Sequence, residues 1–196
     1  MWRLSLAKRS LFLKLFKIIL FLVVFFVAKP SFAYQTVAMD FVGLWYKVNY
    51  INNERDAIVQ YVRQGYNKDN WTESIVFHTF KWTKDKEMSA QELMSSLLND
   101  VRRKNNSLKV EYIKKHPQDM IASWCVDEND LMQAHCEILR TTQSFDGALS
   151  MHYLNKNLLH FADVKQEWLE RIRKARVYQS YFRLDRILNK SMTFEL

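Results

Sequence analysis

Glycine, proline and cysteine are scarce in this chain of 196 residues, with three, two and two respectively. Each scarcity excludes something. Gly43, Gly65 and Gly147 lie too far apart to build a G-x-G-x-x-G or P-loop phosphate cradle. Two cysteines make neither a Cys-rich zinc module nor a disulfide-dense miniprotein. No linker of low complexity interrupts the chain, and no repeat recurs in it. No serine stands in G-x-S-x-G, and no paired-carboxylate motif stands out. His78, His116, His135, His152 and His160 form no compact ligand spacing. Acid is missing from one region altogether: residues 1–33 hold Arg3, Lys8, Arg9, Lys14, Lys17 and Lys29, with no Asp or Glu.

That region explains the charge. A formal +8 suggests nucleic acid or an anionic membrane as partner. Ile18 to Ala28 is an uninterrupted apolar run of 11 residues. Lys29-Pro30 ends it, and Ser31-Phe32-Ala33 puts small residues just before a cut at Tyr34. Basic, then apolar, then small is the order of a secretory signal peptide. The run also falls short of the ~20 apolar residues that span a bilayer, which makes an uncleaved inner-membrane anchor the lesser reading. Without residues 1–33 the chain keeps 23 basic side chains against 21 acidic ones. Nucleic acid is therefore not an expected partner. The expected location is periplasmic or secreted.

The rest of the chain, 48% hydrophobic over its whole length, can bury a core. Tyr34 to Asp40 reads as a loose start. Phe41–Tyr50 is strand or short helix. Ala57–Arg63 and Ser74–Trp82 alternate as strands, and the polar stretch between them suggests an antiparallel pair. Ser89-Ala90-Gln91-Glu92 is a capping box, and Leu93, Met94, Leu97, Leu98 and Val101 follow at helical spacing. Arg102, Arg103 and Lys104 suit the negative end of that helix dipole. Strands are expected over Leu108–Ile113, Met120–Val126 and Gln133–Gln143. Asp146-Gly147 makes a tight hairpin, and Ala148–Leu154 returns. A second helix is expected from Asp163, with Gln166 at capping-box spacing.

Four constellations carry chemistry. Cys125 and Cys136 face each other if the loop between their strands centres on Asn129–Leu131, and in an exported chain a disulfide follows. A catalytic thiol at Cys136 is the other reading, but His135, its strand neighbour, points to the opposite face. His78 and His152 can meet across a sheet. A hydrogen-bonded pair of partly buried histidines is the ordinary outcome there, so neither a metal nor a cofactor is expected. Trp71, Trp82, Trp124, Trp168, Tyr153 and Phe161 are core or, alternatively, the lining of a ligand cleft. The tail after Ala175 mixes Tyr178, Tyr181 and Phe182 with Arg183 and Arg186. It is amphipathic, either continuing the last helix onto the sheet or presenting these five residues to a partner protein or a membrane surface.

The order of elements also resembles a family. An Asn-Trp-Thr-Glu turn (Asn70–Glu73) precedes a strand. A capped helix, a Trp-containing strand, the strand His135–Arg140, an Asp-Gly hairpin and a helix with Trp168-Leu169 follow. This looks like the small exported bacterial proteins with a PsbP/Mog1/DcrB-like sandwich, over about Ala57 to Ala175. The resemblance implies assembly or accessory roles and no shared catalytic set.

The expectation is thus a signal peptide (1–33), one α+β domain (34–176) and an amphipathic extension (177–196). The domain holds an antiparallel sheet of five to six strands with two main helices. The expected function is non-enzymatic: an envelope or secreted protein acting through protein contacts, as an accessory part of a larger assembly. The alternative is a periplasmic binder of a small apolar or aromatic ligand.

Overall fold

The computed structural model describes residues 34–81, 87–144, 147–180 and 191–195. The signal segment, Trp82, Asp146 and the tail residues Tyr181, Phe182, Arg183 and Arg186 lie outside them.

Central strands are apolar on both sides, edge strands on neither. That contrast orders a seven-stranded antiparallel sheet as β2-β3-β4-β8-β7-β6-β5. In chain order these strands are β2 (Trp45–Asn52), β3 (Asp56–Arg63), β4 (Glu73–Lys81), β5 (Glu111–His116), β6 (Asp119–Val126), β7 (His135–Gln143) and β8 (Gly147–Asn155). β6, β7 and β8 are buried nearly throughout, whereas β2 and β5 are mostly exposed. Seven strands exceed the expected five to six. The extra pairing is at the edge: β2 is a full strand, joined to β3 across an irregularity between Lys47 and Asn49.

Helix α1 (Ala90–Lys104) begins as the sequence requires. Ser89 accepts the Glu92 amide, and the Glu92 carboxylate accepts the Ser89 amide. The helix crosses β6, β7 and β8 on one face. There Met94 and Leu98 pack with Met120, Ala122, Trp124, Val126 and Leu139. Helix α2 (Leu158–Lys174) covers the other face with Phe161, Trp168 and Ile172 against Ile75, Phe77, Ile138, Met151 and Tyr153. Its first residue corrects the expected start at Asp163. Asn157 is the cap, accepting the His160 amide at 3.1 Å, and the earlier start buries Phe161.

Two further expectations are corrected at the ends of the domain. Tyr34–Asp40 is not loose but forms β1, the middle strand of a separate sheet ordered β10-β1-β9. The tail does not continue α2 as a helix: Arg176–Ser180 is β9, and Ser191–Glu195 is β10. The boundary expected after residue 176 therefore falls inside β9. β1 still joins the main core, because Val37 and Met39 are buried in the cluster around Trp168.

One side chain ties α2 to the sheet. Arg140, on β7, donates to the Asp119 carboxylate at 2.7 and 3.2 Å and to the carbonyls of Ile172 and Ala175, both at 2.8 Å. A guanidinium suits this position because its fork serves several acceptors at fixed angles. Asp119 responds: burial pushes its carboxyl up, but the bonds from Arg140 and Lys114 outweigh this and hold it below its usual range.

Cys125 and Cys136 are bonded across β6 and β7, with Cα atoms 4.0 Å apart. Asn129 builds the intervening turn, accepting the Leu131 and Met132 amides with its side chain. Closing this short loop contributes about 2–3 kcal/mol by the chain-entropy estimate. A thermal melt with reductant is expected to fall by roughly 5–10 °C, and a Cys125→Ser/Cys136→Ser double variant is expected to match it.

Candidate functional site

The two faces of the seven-stranded sheet are covered unequally. α2 and β1 fill one. On the other, α1 rests on β6, β7 and β8 and leaves the outer part of β2–β4 less covered, so that Tyr46 and Ile51 are 50% and 42% exposed. Where α1 ends its cover, a cleft of about 270 Å³ opens. Leu97 and Val101 line it from α1, Ile58 and Val76 from β3 and β4, and Trp124, Leu139 and Leu154 from β6, β7 and β8. His78, His152 and Glu137 complete the wall.

Strand alternation puts these residues together. β7 sends Glu137 and Leu139 to the α1 face, while Cys136 and Ile138 go to the α2 face. The hairpin pairs Leu139 with His152 and Thr141 with Ser150, which sets the Glu137 carboxylate diagonally beside the His152 ring. His152 Nδ1 lies 2.5 Å from Glu137 Oε1, and His152 Nε2 lies 2.8 Å from Ser150 Oγ. His135 Nε2 stands 3.9 Å from the other carboxylate oxygen, while its Nδ1 donates to the Gln133 carbonyl at 2.8 Å.

The electrostatics follow from burial and pairing. Glu137 is 5% exposed. Burial alone pushes its carboxyl up, yet the two histidines outweigh it and hold the pKa below the ordinary carboxylate range. His135 shows the converse. Burial pushes the imidazole down, and Glu137 together with the Gln133 carbonyl raises it above its ordinary value. His78 goes the other way: burial lowers it, and the Asp56 carboxylate 3.0 Å from Nε2 only partly compensates. The wall therefore holds an ionised carboxylate between imidazoles.

Ser150, His152 and Glu137 have the contact order of an acyl-transfer triad. The setting differs from an active one. Ser150 is fully buried in mid-strand, and its backbone lies in the register with β4 and β7. A nucleophile must reach the substrate, and backbone groups in a ladder are not aimed at an oxyanion. The arrangement as it stands positions protons and satisfies buried polar groups.

One residue that lines the cleft also carries an unsatisfied polar group. Trp124, 4% exposed, has its indole Nε1 buried without an acceptor. An orphaned buried donor costs on the order of 1–3 kcal/mol.

The sequence-expected residues are scattered relative to this cleft. His78 and His152 share its wall, each beside its own carboxylate, as diagonal neighbours on β4 and β8. Among the described residues no group of three His, Cys, Asp or Glu could hold a metal ion. Trp124 lines the cleft, whereas Trp168, Tyr153 and Phe161 belong to the α2-side core. Of the tail candidates only Tyr178 is described, half-buried in β9 opposite Thr36. Glu137 and Ser150 went unmarked in the sequence. Their signal was the spacing of His135, Glu137 and His152, Ser150 about an Asp-Gly hairpin, which fixes who faces whom.

A larger depression of about 860 Å³ lies between β1 and the end of α2. Several charges along it are paired with one another, Arg171 to Glu167 at 2.6 Å and Arg173 to Glu170 at 2.9 Å. It offers less chemistry than the smaller cleft. Among the described residues no helix is long and apolar enough to cross a membrane. Compared with family models, curated proteins and solved structures, the chain finds no match.

Proposed function

We propose that this chain is an exported, non-catalytic binding protein whose cleft beside α1 takes a small apolar or aromatic molecule. The observation that carries the reading is the cleft itself: a mainly apolar wall with two histidines and a shielded carboxylate, the composition of a ligand site rather than of a packed core. The disulfide supports an oxidising, non-cytoplasmic location. The acid-free, apolar residues 1–33 support export with cleavage before Tyr34, after which the intact mass of the exported protein begins at Tyr34. Kinship with the PsbP/Mog1/DcrB-like sandwiches is proposed in the same sense. Its support is the layering of helix, antiparallel sheet and helix.

Native mass spectrometry of the protein from its own source tests the binding. The expected result is a non-covalent adduct that is lost in Val76→Phe, a substitution that fills the cleft from a half-buried position. An adduct unaffected by Val76→Phe would place the ligand elsewhere.

A second reading has its own observation. β2 is an edge strand whose Tyr46, Tyr50 and Ile51 are 50%, 50% and 42% exposed. Unpaired edge groups beside apolar side chains invite strand addition by a partner protein. An accessory role in an envelope assembly would use this edge. Ile51→Lys would then abolish co-purification of the partner while leaving the cleft ligand bound.

A further inference from the structure

Resting on that reading, the surroundings of the cleft point to the class of its ligand. The cleft has a neighbour, because Leu154 also lines a second groove of about 450 Å³ at the end of the sheet where α1 terminates. The two adjoin on a second side, where His135 of the groove and Glu137 of the cleft stand 3.9 Å apart.

The groove differs in character from the cleft. Lys68, Lys104 and Lys156 line it, with Trp71 and His135. The Lys156 ammonium sits 4.1 Å from the centre of the Trp71 ring, so a cation–π contact holds it in place. Asp69 is the one acid among the lining residues, and it is paired with Lys68 at 2.8 Å. Asp127, Glu128 and Asp130 belong to the nearby β6–β7 loop, but that loop contributes only Leu131, Met132 and Gln133 to the lining. The Glu137 carboxylate is buried between His135 and His152, 3.9 and 2.5 Å from its oxygens, and does not line the groove.

We infer that the ligand is an anionic amphiphile: a short apolar body in the cleft beside α1, and an acidic head, such as a carboxylate or sulfate, in the lysine groove. An apolar cleft alone selects for size and hydrophobicity. The adjoining cationic groove adds selection by charge, and a partly screened ion pair between head and lysines is salt-dependent.

The test uses three probes with one tail: octanoate, octanol and octylammonium, titrated calorimetrically into the full-length protein. Octanoate is expected to bind at least tenfold more tightly than octanol at low salt, and octylammonium more weakly than either. A Lys104→Glu/Lys156→Glu double variant, changed only at the groove, is expected to lose the octanoate preference and keep octanol binding. Val76→Phe is expected to weaken all three probes. Equal affinity for octanoate and octanol, or a preference that survives the double variant, would overturn the charge selection and leave the apolar cleft standing. Failure of all three probes to bind, or binding indifferent to Val76→Phe, would overturn both.

Discussion

Replacing Arg140 by Met is expected to lower stability by about 4 kcal/mol, seen as a fall in melting temperature of roughly 8–16 °C. Met matches the stem of Arg140 and removes only the guanidinium, so the loss is one of polar partners rather than of volume. Asp119, already low in solvent exposure, is left with Lys114 alone. The carbonyls of Ile172 and Ala175, at the end of α2, lose their donor. Removing one member of a desolvated charged network leaves the others unpaid for by water, and this is why such losses exceed the net worth of the bonds. Lys at this position is expected to recover only part of the loss, since an ammonium cannot reach a carboxylate and two carbonyls as a planar fork does. A melt of Arg140→Met within 3 °C of the parent would show that α2 is held by its apolar contacts alone.

Glu137→Gln is expected to have an effect that depends on pH: about 1 kcal/mol at pH 8, rising to about 4 kcal/mol near pH 5. The sign follows from the two groups. His135 has a folded pKa above the unfolded value of 6.5. Its contribution is complete below 6.5 and fades as pH rises through the folded value. Glu137 has a folded pKa below 4.5, so its contribution is present above 4.5 and is lost as pH falls through the folded value. Between these limits the parent protein holds both charges at full effect. In Glu137→Gln the carboxylate is gone and burial governs His135, so protonation then opposes folding as pH falls. The gap between parent and variant widens from pH 8 to pH 5 and narrows in stronger acid. Parallel urea titrations at several pH values measure it. A gap constant over pH 8 to 5 would mean that Glu137 and His135 are not coupled.

What the sequence disclosed was mostly local. Ser89 and Glu92 lie three positions apart, and their capping box was readable because both partners sit in one turn. Cys125 and Cys136 were readable together because a hairpin centred near Asp130 fixes its own register, and the bond forms where that register puts it. Asp163, with Gln166 at capping-box spacing, reads as the cap in the sequence, whereas Asn157 is the cap in the fold. Burial of Phe161 against Tyr153 favours the earlier start, and that depends on a strand the local pattern does not see. The site lay between these cases. The spacing of His135, Glu137, Ser150 and His152 was in plain view, but its meaning required the pairing of β7 with β8 and a helix overhead. The tail was the least legible part. Its mixture of aromatic and basic residues suits a helix as well as a strand, and the decision rests with β1, far away in the chain.

That arrangement of β1 has a consequence for how the molecule comes to be folded. The seven-stranded sheet draws all its strands from Trp45–Asn155: β2–β4 and β5–β8 each pair by successive neighbours, and the two groups join through β4 and β8. β1 precedes them and has no neighbour to pair with until they are finished. Val37 waits for Val177, about 140 positions later, and then for Phe194. Closing a loop of that size costs about 2 kcal/mol more than closing a hairpin of ten residues, by the logarithmic law. Pairings of such long range belong to the slow end of folding. The small sheet is therefore the last clasp to shut. Until it does, the flank of α2 around Trp168 stays wet, and the apolar Val37 and Met39 stay free to find other partners.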